Sequence, residues 1–384
     1  MVLAVTNKGL EGVTKRELAA AGCSETSLVG GRLCFPWNGE PQGPVLHSAS
    51  KVVPLFALAM PKDLATMRNA PDLYVELEGY VRRKVTESIA SVLPRHLQEA
   101  GDVLFVSRSR VNTRGAERHA FGKTVNWTRL KDSVRNAVEE VTGWTLELRS
   151  SQVQVSILAF FGKDHMALGV ETYGHPEADD SARFQWSQVV RPGMETQLAG
   201  AMAVLATEHL EGRTGVIVDL VCGFGTTLLA AARMSRGSSP RLVGRDLDLA
   251  KVKRTQENFR ACGLDESDIK VGDARCRMRG SRSRALIGMP DGSADAVLCD
   301  LPNGALHKVS ADYESYRGFF QEAARLLRPG GRFVVLSTRK RMLAKALEQG
   351  PWKRLGAWAV GRGEGNLRES QLVLLQKTLS RQTL

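Results

Sequence analysis

No stretch of about 18 apolar residues occurs in the 384-residue chain, so no membrane-spanning helix is expected. The opening MVLAVTNKGLEGV is too short in apolar residues for a secretory signal, and its first lysine follows them, so no leader is expected. Cysteine is scarce. Cys23, Cys34, Cys222, Cys262, Cys276 and Cys299 are scattered without a CxxC pair, which argues against a zinc site and against a disulfide framework. Reduced thiols fit a cytosolic or nuclear protein, with the cytoplasm expected and the nucleus as the alternative. The seven histidines show no ligand spacing, so no metal is expected. Internal repeats and low-complexity tracts are lacking. With 43% apolar and 24% charged residues, collagen, mucin and wholly disordered classes are excluded.

Acidic charge is also in short supply. Lys and Arg number 53 against 41 Asp and Glu, a formal charge of +12. Such a surplus raises the local concentration of polyanions and speeds their capture. The length suggests two domains, or three, at roughly 100–200 residues each.

The two halves differ in pattern. The C-terminal half alternates apolar runs with helical stretches: VIVDL (216–220), RLVGRD (241–246), IKVGD (269–273), DAVLCD (295–300), RFVVLST (332–338) and QLVLLQ (371–376). Strands alternating with helices predict a parallel sheet covered on both faces. LLRPGGRFVVL reads as a helix end, a Pro-Gly-Gly turn and a buried strand. The N-terminal half reads as α+β. A helix over 9–22 is closed by Gly22, and a strand over 103–111 has one basic face. The helix over 127–144 carries a stripe of Leu130, Val134, Ala137, Val138 and Val141, and a strand follows over 153–162. Residues 175–188 lack periodicity and read as a linker, and a helix over 191–210 opens the second half.

The segment Asp219-Leu-Val-Cys222-Gly223-Phe-Gly225-Thr226 joins a buried strand to a helix. Glycines there allow close approach of backbone to ligand, and the helix start offers free N–H groups. Asp246 follows at the next strand end, where a carboxylate can grip a ribose diol. Asp273 closes the third strand and can accept from an adenine amine. The loop is neither GxGxxG nor GxxxxGK[ST], which counts against dinucleotides and excludes a triphosphate P-loop. An acid before the glycines would repel a pyrophosphate but suits the cationic amino-acid part of S-adenosylmethionine. Asp300 ends the fourth strand, followed by Leu301, Pro302, Asn303 and Gly304. A carboxylate and a Pro carbonyl can both accept from one exocyclic NH2, leaving its lone pair aimed at an electrophilic methyl. A nicotinamide-dependent reductase is the rival that the glycine loop alone allows. Asp219 and the DLP segment count against it.

DLVCGFGTT, GRDLD, VGDAR and DLPNG, in this order, resemble the class I S-adenosylmethionine-dependent methyltransferases. More narrowly they resemble the RNA guanine-N2 methyltransferases, whose fourth-strand motif reads [DN]-[PL]-P-[FYW]. GLEGVTKRELAAAG and SASKVVPLFALA are similar to a ferredoxin-like segment. VLFVSRSRVNTRGAERHAF, with the following helix and VQVSILAFFGKDHMALGVETYG, is similar to the THUMP module that precedes such domains. The resemblance implies an α/β, Rossmann-like class I methyltransferase domain behind an α+β ferredoxin-like and THUMP RNA-binding module. The implied parts are a ferredoxin-like segment at 1–70, THUMP at 71–175, a linker at 176–195 and the methyltransferase domain at 196–384.

Carried over residue by residue, it makes Asp219, Cys222, Gly223 and Gly225 the methionine-side loop. Asp246 takes the ribose, Asp273 the adenine, and Asp300, Leu301 and Pro302 the target amine. Two positions depart from the family. Val221 stands where Pro or Met is frequent. Asn303 stands where an aromatic would stack on the base, a contact worth about 1–3 kcal/mol. The ring must then come from Tyr313, Tyr316 or His307, or the chain is an RNA-binding protein with a degenerate methyltransferase domain.

Arg108, Arg110, Arg114, Arg118, Lys123, Arg129, Lys131 and Arg135 face only Glu117 and Asp132 in the same stretch. Such a cluster can contact several phosphates at once. The resemblance to THUMP, which docks tRNA acceptor ends, points it at RNA. A second basic group, Arg339, Lys340 and Arg341, follows the fifth strand and can flank the catalytic mouth. Trp127, Trp144, Trp352 and Trp358 are read as core. The implied reaction is methyl transfer to the N2 amine of a guanosine in tRNA, with another structured RNA such as a small nuclear RNA as the alternative. The target base flips out of its stack, with no covalent enzyme intermediate. A small zinc-ribbon activator subunit is the partner that the resemblance adds.

Overall fold

The computed structural model describes residues 1–29, 32–39, 43–93, 126–144, 155–161, 165–172, 189, 193–210, 213–234, 240–274, 288–302, 312–362 and 366–378. Two compact units emerge, and they do not follow chain order. Met1–Thr6, Leu18–Leu46 and Lys51–Ala178 form the first, and Asn7–Glu17, His47–Ser50 and Asp179–Leu384 the second.

The first unit is built on a six-stranded antiparallel sheet. Its strands are β1 (Val2–Val5), β2 (Ser27–Val29), β3 (Arg32–Phe35), β4 (Lys51–Ala59), β5 (Val155–Phe161) and β6 (Met166–Thr172), in the order β2-β3-β1-β4-β6-β5. The first half of β4 pairs with β1 as far as Pro54, and the second half pairs with β6 from Leu55. Pro54 has no N–H for a ladder and sits where one partner hands over to the other. Among the described residues three helices complete the unit: α2 (Pro61–Arg68), α3 (Leu73–Val92) and α4 (Trp127–Thr142). Asp72 caps α3 by accepting from Tyr74 N, and Asn126 caps α4 by accepting from Arg129 N. One face of the sheet packs against Leu77, Val81 and Val85 of α3 and Leu130, Val134, Ala137 and Val138 of α4. Val141, expected on that stripe, is exposed. It lies in the last turn, where Gly143 at φ +71° already ends the helix.

The helix expected over 9–22 is α1 (Glu11–Ala20), and Gly22 after it has φ +85°. Leu10, just before it, and Val13 in its first turn lie in the core of the second unit. The strand expected over 103–111 and the linker at 175–188 lie outside the described residues.

Among the described residues the second unit holds seven strands: β7 (Val216–Asp219), β8 (Arg241–Asp246), β9 (Ile269–Val271), β10 (Ala294–Asp300), β11 (Leu327–Ser337), β12 (Trp352–Arg362) and β13 (Asn366–Lys377). Their order is β12-β13-β11-β10-β7-β8-β9. Strands β7 to β11 are parallel, but β13 is antiparallel to both β11 and β12. The expected parallel sheet is therefore a mixed one. The chain between β12 and β13 is too short for the helical crossover that a parallel strand needs, so it returns as a hairpin.

Alternate residues of the central strands face two helical layers. Ile217, Leu298, Val334 and Leu336 meet α5 (Thr196–Thr207), α6 (Thr226–Met234) and α7 (Leu249–Ala261). Val218, Val297, Phe333 and Val335 meet α8 (Tyr313–Leu326) and α9 (Lys340–Leu347). Helix α5 is apolar all round and is buried all round from Leu198 to Ala206. Nor does the Pro-Gly-Gly turn separate α8 from its strand. β11 starts at Leu327, and the segment around Gly330 is a bulge between the pairs Ala294–Leu327 and Ala296–Arg332.

Candidate active site

Strand register brings the acids together. Asp219 ends β7 and pairs in register with Leu298 of β10 and Gly244 of β8. Asp300 and Asp246 each stand two residues beyond those partners. Three carboxylates thus flank one another at the carboxyl ends of adjacent strands, where open α/β sheets bind ligands. Gly272 donates to the Asp246 carbonyl at 3.0 Å, which fixes Asp273 beside the same rim.

The loop after β7 is held from several sides. Gly223 and Gly225 have φ of +53° and +81°, the left-handed region that favours glycine. A Cβ on Gly225 would also lie 2.6 Å from Cγ2 of Thr255. Gly225 N donates to Cys222 O at 2.7 Å, and Cys222 N donates to Arg245 O at 2.8 Å. Thr255 and Asn258, both in α7, donate to the carbonyls of Gly223 at 2.7 Å and Phe224 at 3.1 Å. These two braces were not expected from the sequence. The signal was there: both are buried polar residues between Val252 and Phe259 on the inner stripe of α7.

Asp246 accepts from Gly223 N at 3.0 Å and from Asp248 N at 2.9 Å, so the second strand end is tied directly to the glycine loop. Leu247, Leu249 and Val271 add exposed apolar side chains next to the acids at the ends of β8 and β9. Asp219 is buried. It accepts from Val221 N at 2.9 Å and from the Thr227 hydroxyl. Burial pushes its carboxyl up to about 7, against the pull of those two hydrogen bonds, and the nearby Asp300 and Asp246 add to the rise. The buried thiols of Cys222 and Cys299 are raised by desolvation and then by the neighbouring acids. They stay protonated and poorly nucleophilic.

Beyond Asp300, Leu301 N donates to Leu336 O at 2.9 Å, and Leu301 and Pro302 are both buried. The strand end that presents Asp300 is therefore fixed by its β11 neighbour. Asn303 and His307 lie outside the described residues, as do Arg108, Arg110, Arg114, Arg118 and Lys123. Tyr316 cannot supply a stacking ring: it is fully buried, with its hydroxyl 2.8 Å from that of Ser337. The Tyr313 ring has the Lys345 ammonium 4.0 Å from its centroid. Trp144, Trp352 and Trp358 are partly buried against the cores, as expected.

Residues 189–366 match the UPF0020 family, described as an RMKL-like methyltransferase domain. Among curated proteins, the chain is 27% identical over 218 residues to the U6 snRNA (guanine-N(2))-methyltransferase THUMPD2 of Bos taurus, covering 56% of this chain and 38% of that protein. It is 28% identical over 243 residues to a tRNA (guanine(6)-N2)-methyltransferase of Thermus thermophilus, covering 63% of this chain and 65% of that one. The chain thus spans less than two thirds of the length of either relative. The crystal structure of TrmN from Thermus thermophilus superposes with a TM-score of 0.67 at 24% identity, over 98% of this chain and 99% of that one. A putative methyltransferase complexed with SAH gives 0.63 at 14% identity, over 99% and 98%. These likenesses establish the class I methyltransferase-like fold.

Proposed function

We propose that the protein transfers a methyl group from S-adenosylmethionine to the exocyclic N2 amine of a guanosine in tRNA. One observation carries the reading: Asp300, Asp219 and Asp246 stand side by side at three adjacent strand ends above a glycine loop. The two curated relatives named above, both guanine-N2 methyltransferases, support the choice of amine.

The residues present fit the donor. The positive-φ glycines leave backbone unshielded by side chains, Asp246 offers carboxylate oxygens to a ribose, and Leu247 and Val271 offer apolar surface to a flat base. When bound, S-adenosylmethionine supplies an electrophilic methyl on a sulfonium. Asp219, held by Thr227 and Val221, keeps the loop on its strand. Asp273 takes the adenine amine. Asp300 and the Pro302 carbonyl accept from the guanine amine and orient its lone pair, a contribution of positioning and not of covalent catalysis. The buried thiols Cys222 and Cys299 take no part as nucleophiles.

The first unit, with the basic stretch from Arg108 to Lys123, is the THUMP-type RNA-holding module in this reading, and a small zinc-ribbon subunit is the activator that it adds. The cytoplasm is the compartment it assigns, with the nucleus as the alternative. No helix among the described residues is long and apolar enough to cross a membrane.

The test is single-turnover methylation of unmodified tRNA and U6 small nuclear RNA transcripts, with nucleosides read by mass spectrometry. N2-methylguanosine from the wild type, and none from Asp300→Ala with donor binding retained, is the expected result. Equal rates from the two proteins would overturn the assignment of Asp300. A second reading, RNA binding by a degenerate methyltransferase domain, is favoured by Asn303 in place of an aromatic. Tight donor and RNA binding with no product from the wild type would select it.

A further inference from the structure

The acceptor side of the rim carries a group of cations that the reaction itself does not use. β11, the strand beside Asp300, ends at Ser337, and the chain turns at once into α9. The segment 339–347, RKRMLAKAL, holds Arg339, Lys340, Arg341 and Lys345 and no acid. Arg339, Lys340, Arg341 and Lys345 are all exposed.

This placement works against the helix. Arg339 is the residue before the first turn and gives it no side-chain cap, and the first turn holds two more cations and no acid. Cations at a helix N-terminus oppose its macrodipole. A residue choice made for helix stability would be Ser or Asp followed by Glu.

The surroundings nevertheless fix the backbone where the group begins. Ser337 is fully buried, and its hydroxyl is bonded to Tyr316 at 2.8 Å and accepts from Arg339 N at 2.9 Å. Tyr316 in turn feels both Asp300 and Arg339 electrostatically, so the arginine belongs to the same neighbourhood as the acceptor carboxylate. Lys345 is held over the Tyr313 ring. Three acids lie near: Glu369 pairs with Lys340 at 3.0 Å, Glu314 pairs with Arg317, and Glu348 follows the end of α9. Arg341 has no ion pair among the described residues.

An exposed cationic patch beside four carboxylates has an obvious electrostatic counterpart. The acids hold an amine and a cationic donor, while the flanking strand of the substrate presents phosphates. We infer that Arg339 and Arg341, with Lys345 beside them, grip phosphates of the RNA strand next to the methylated base. The inference rests on the reading of the site as an RNA methyltransferase. It makes the two arginines positioning residues that hold the strand in register with Asp300.

The test uses the full chain, S-adenosylmethionine and an unmodified tRNA transcript at several salt concentrations. Arg339→Ala and Arg341→Ala together should raise the KM for RNA about tenfold, equivalent to two weak phosphate interactions. The log–log salt slope of RNA binding should fall by roughly 0.7 for each phosphate no longer neutralised. Donor affinity by calorimetry should not change, which also certifies the fold. Arg341→Lys keeps the charge and should keep the slope. If the double variant has the wild-type KM and slope, the inference fails although the methyltransferase reading stands. If the wild type makes no methylated product but its RNA binding loses slope in the double variant, the phosphate grip stands and the guanosine reading fails. A slope unchanged by the double variant, in a protein inactive on RNA, sinks both.

Discussion

The hydroxyl of Thr227 donates to Oδ2 of Asp219, joining the first turn of α6 to the end of β7 beneath the glycine loop. The carboxyl group it meets is buried, and desolvation lifts it to about 7 from an ordinary 3.8. This buried carboxyl sets how the loop responds to pH.

Below pH 4 the group is protonated in both folded and unfolded chains and contributes nothing to pH dependence. Between about 4 and 7 the unfolded chain releases the proton while the folded one keeps it, so stability falls as pH rises. The loss is on the order of 4 kcal/mol, from about 3 units at 1.36 kcal/mol each. Asp219→Asn should remove that slope, leaving a flatter melting profile from pH 4.5 to 7.5 than the wild type has. Scanning calorimetry across that range checks it, and parallel profiles would refute the assignment.

Asp246 has two tasks that one substitution removes together: it accepts from Gly223 N and Asp248 N, and it faces the ligand rim. Asp246→Ala should weaken S-adenosylmethionine binding more than tenfold, since a buried donor left unpaired costs about 1–3 kcal/mol. Asp246→Asn keeps one acceptor and should fall between. Titration calorimetry giving unchanged affinity in the folded Ala variant would remove this acid from the site.

Gly225 is confined both by its φ of +81° and by Thr255 at 2.6 Å from a built Cβ. Gly225→Ala should destabilise the protein by a few kcal/mol, combining backbone strain of roughly 1–3 kcal/mol with overpacking. Adding Thr255→Ser removes the offending methyl and should recover only the packing part. Full recovery in denaturant titrations would mean that the left-handed backbone costs nothing there.

The basic stretch of the first unit gives an independent arm. Arg108, Arg110 and Arg114 replaced by Ala should weaken tRNA binding and lower its salt slope by roughly 0.7–0.9 for every phosphate left without its arginine. Donor binding should be untouched. An unchanged slope would place the RNA elsewhere, and a slope additive with that of Arg339 and Arg341 would show two separate grips on one RNA.

Much of the second unit was legible in the sequence because its strands are buried on both faces and its turns are marked. VIVD, RLVGRD and ADAVLCD are short apolar runs that end in an acid, and each is a parallel strand ending in that acid. The glycines at 223 and 225 marked the loop, since only glycine takes their φ without strain. β12 was not legible. Its WKRLGAWAVGR mixes charge, glycine and tryptophan, as an edge strand with one protected side can. The direction of β13 was hidden too, because an apolar run carries no sign of which way it pairs.

Local pattern therefore determined the type of element and the loop that receives a ligand: backbone preference and side-chain period act over a few residues. Register, burial and neighbours were decided only by the tertiary structure. It set Asp300 and Asp246 two residues beyond the partners of Asp219, buried Tyr316 on Ser337 where a stacking ring was one expectation, and drew Leu10 and Val13 into the core of the second unit. Each of these depends on contacts between residues far apart in the chain, and no local spacing encodes which distant partner wins.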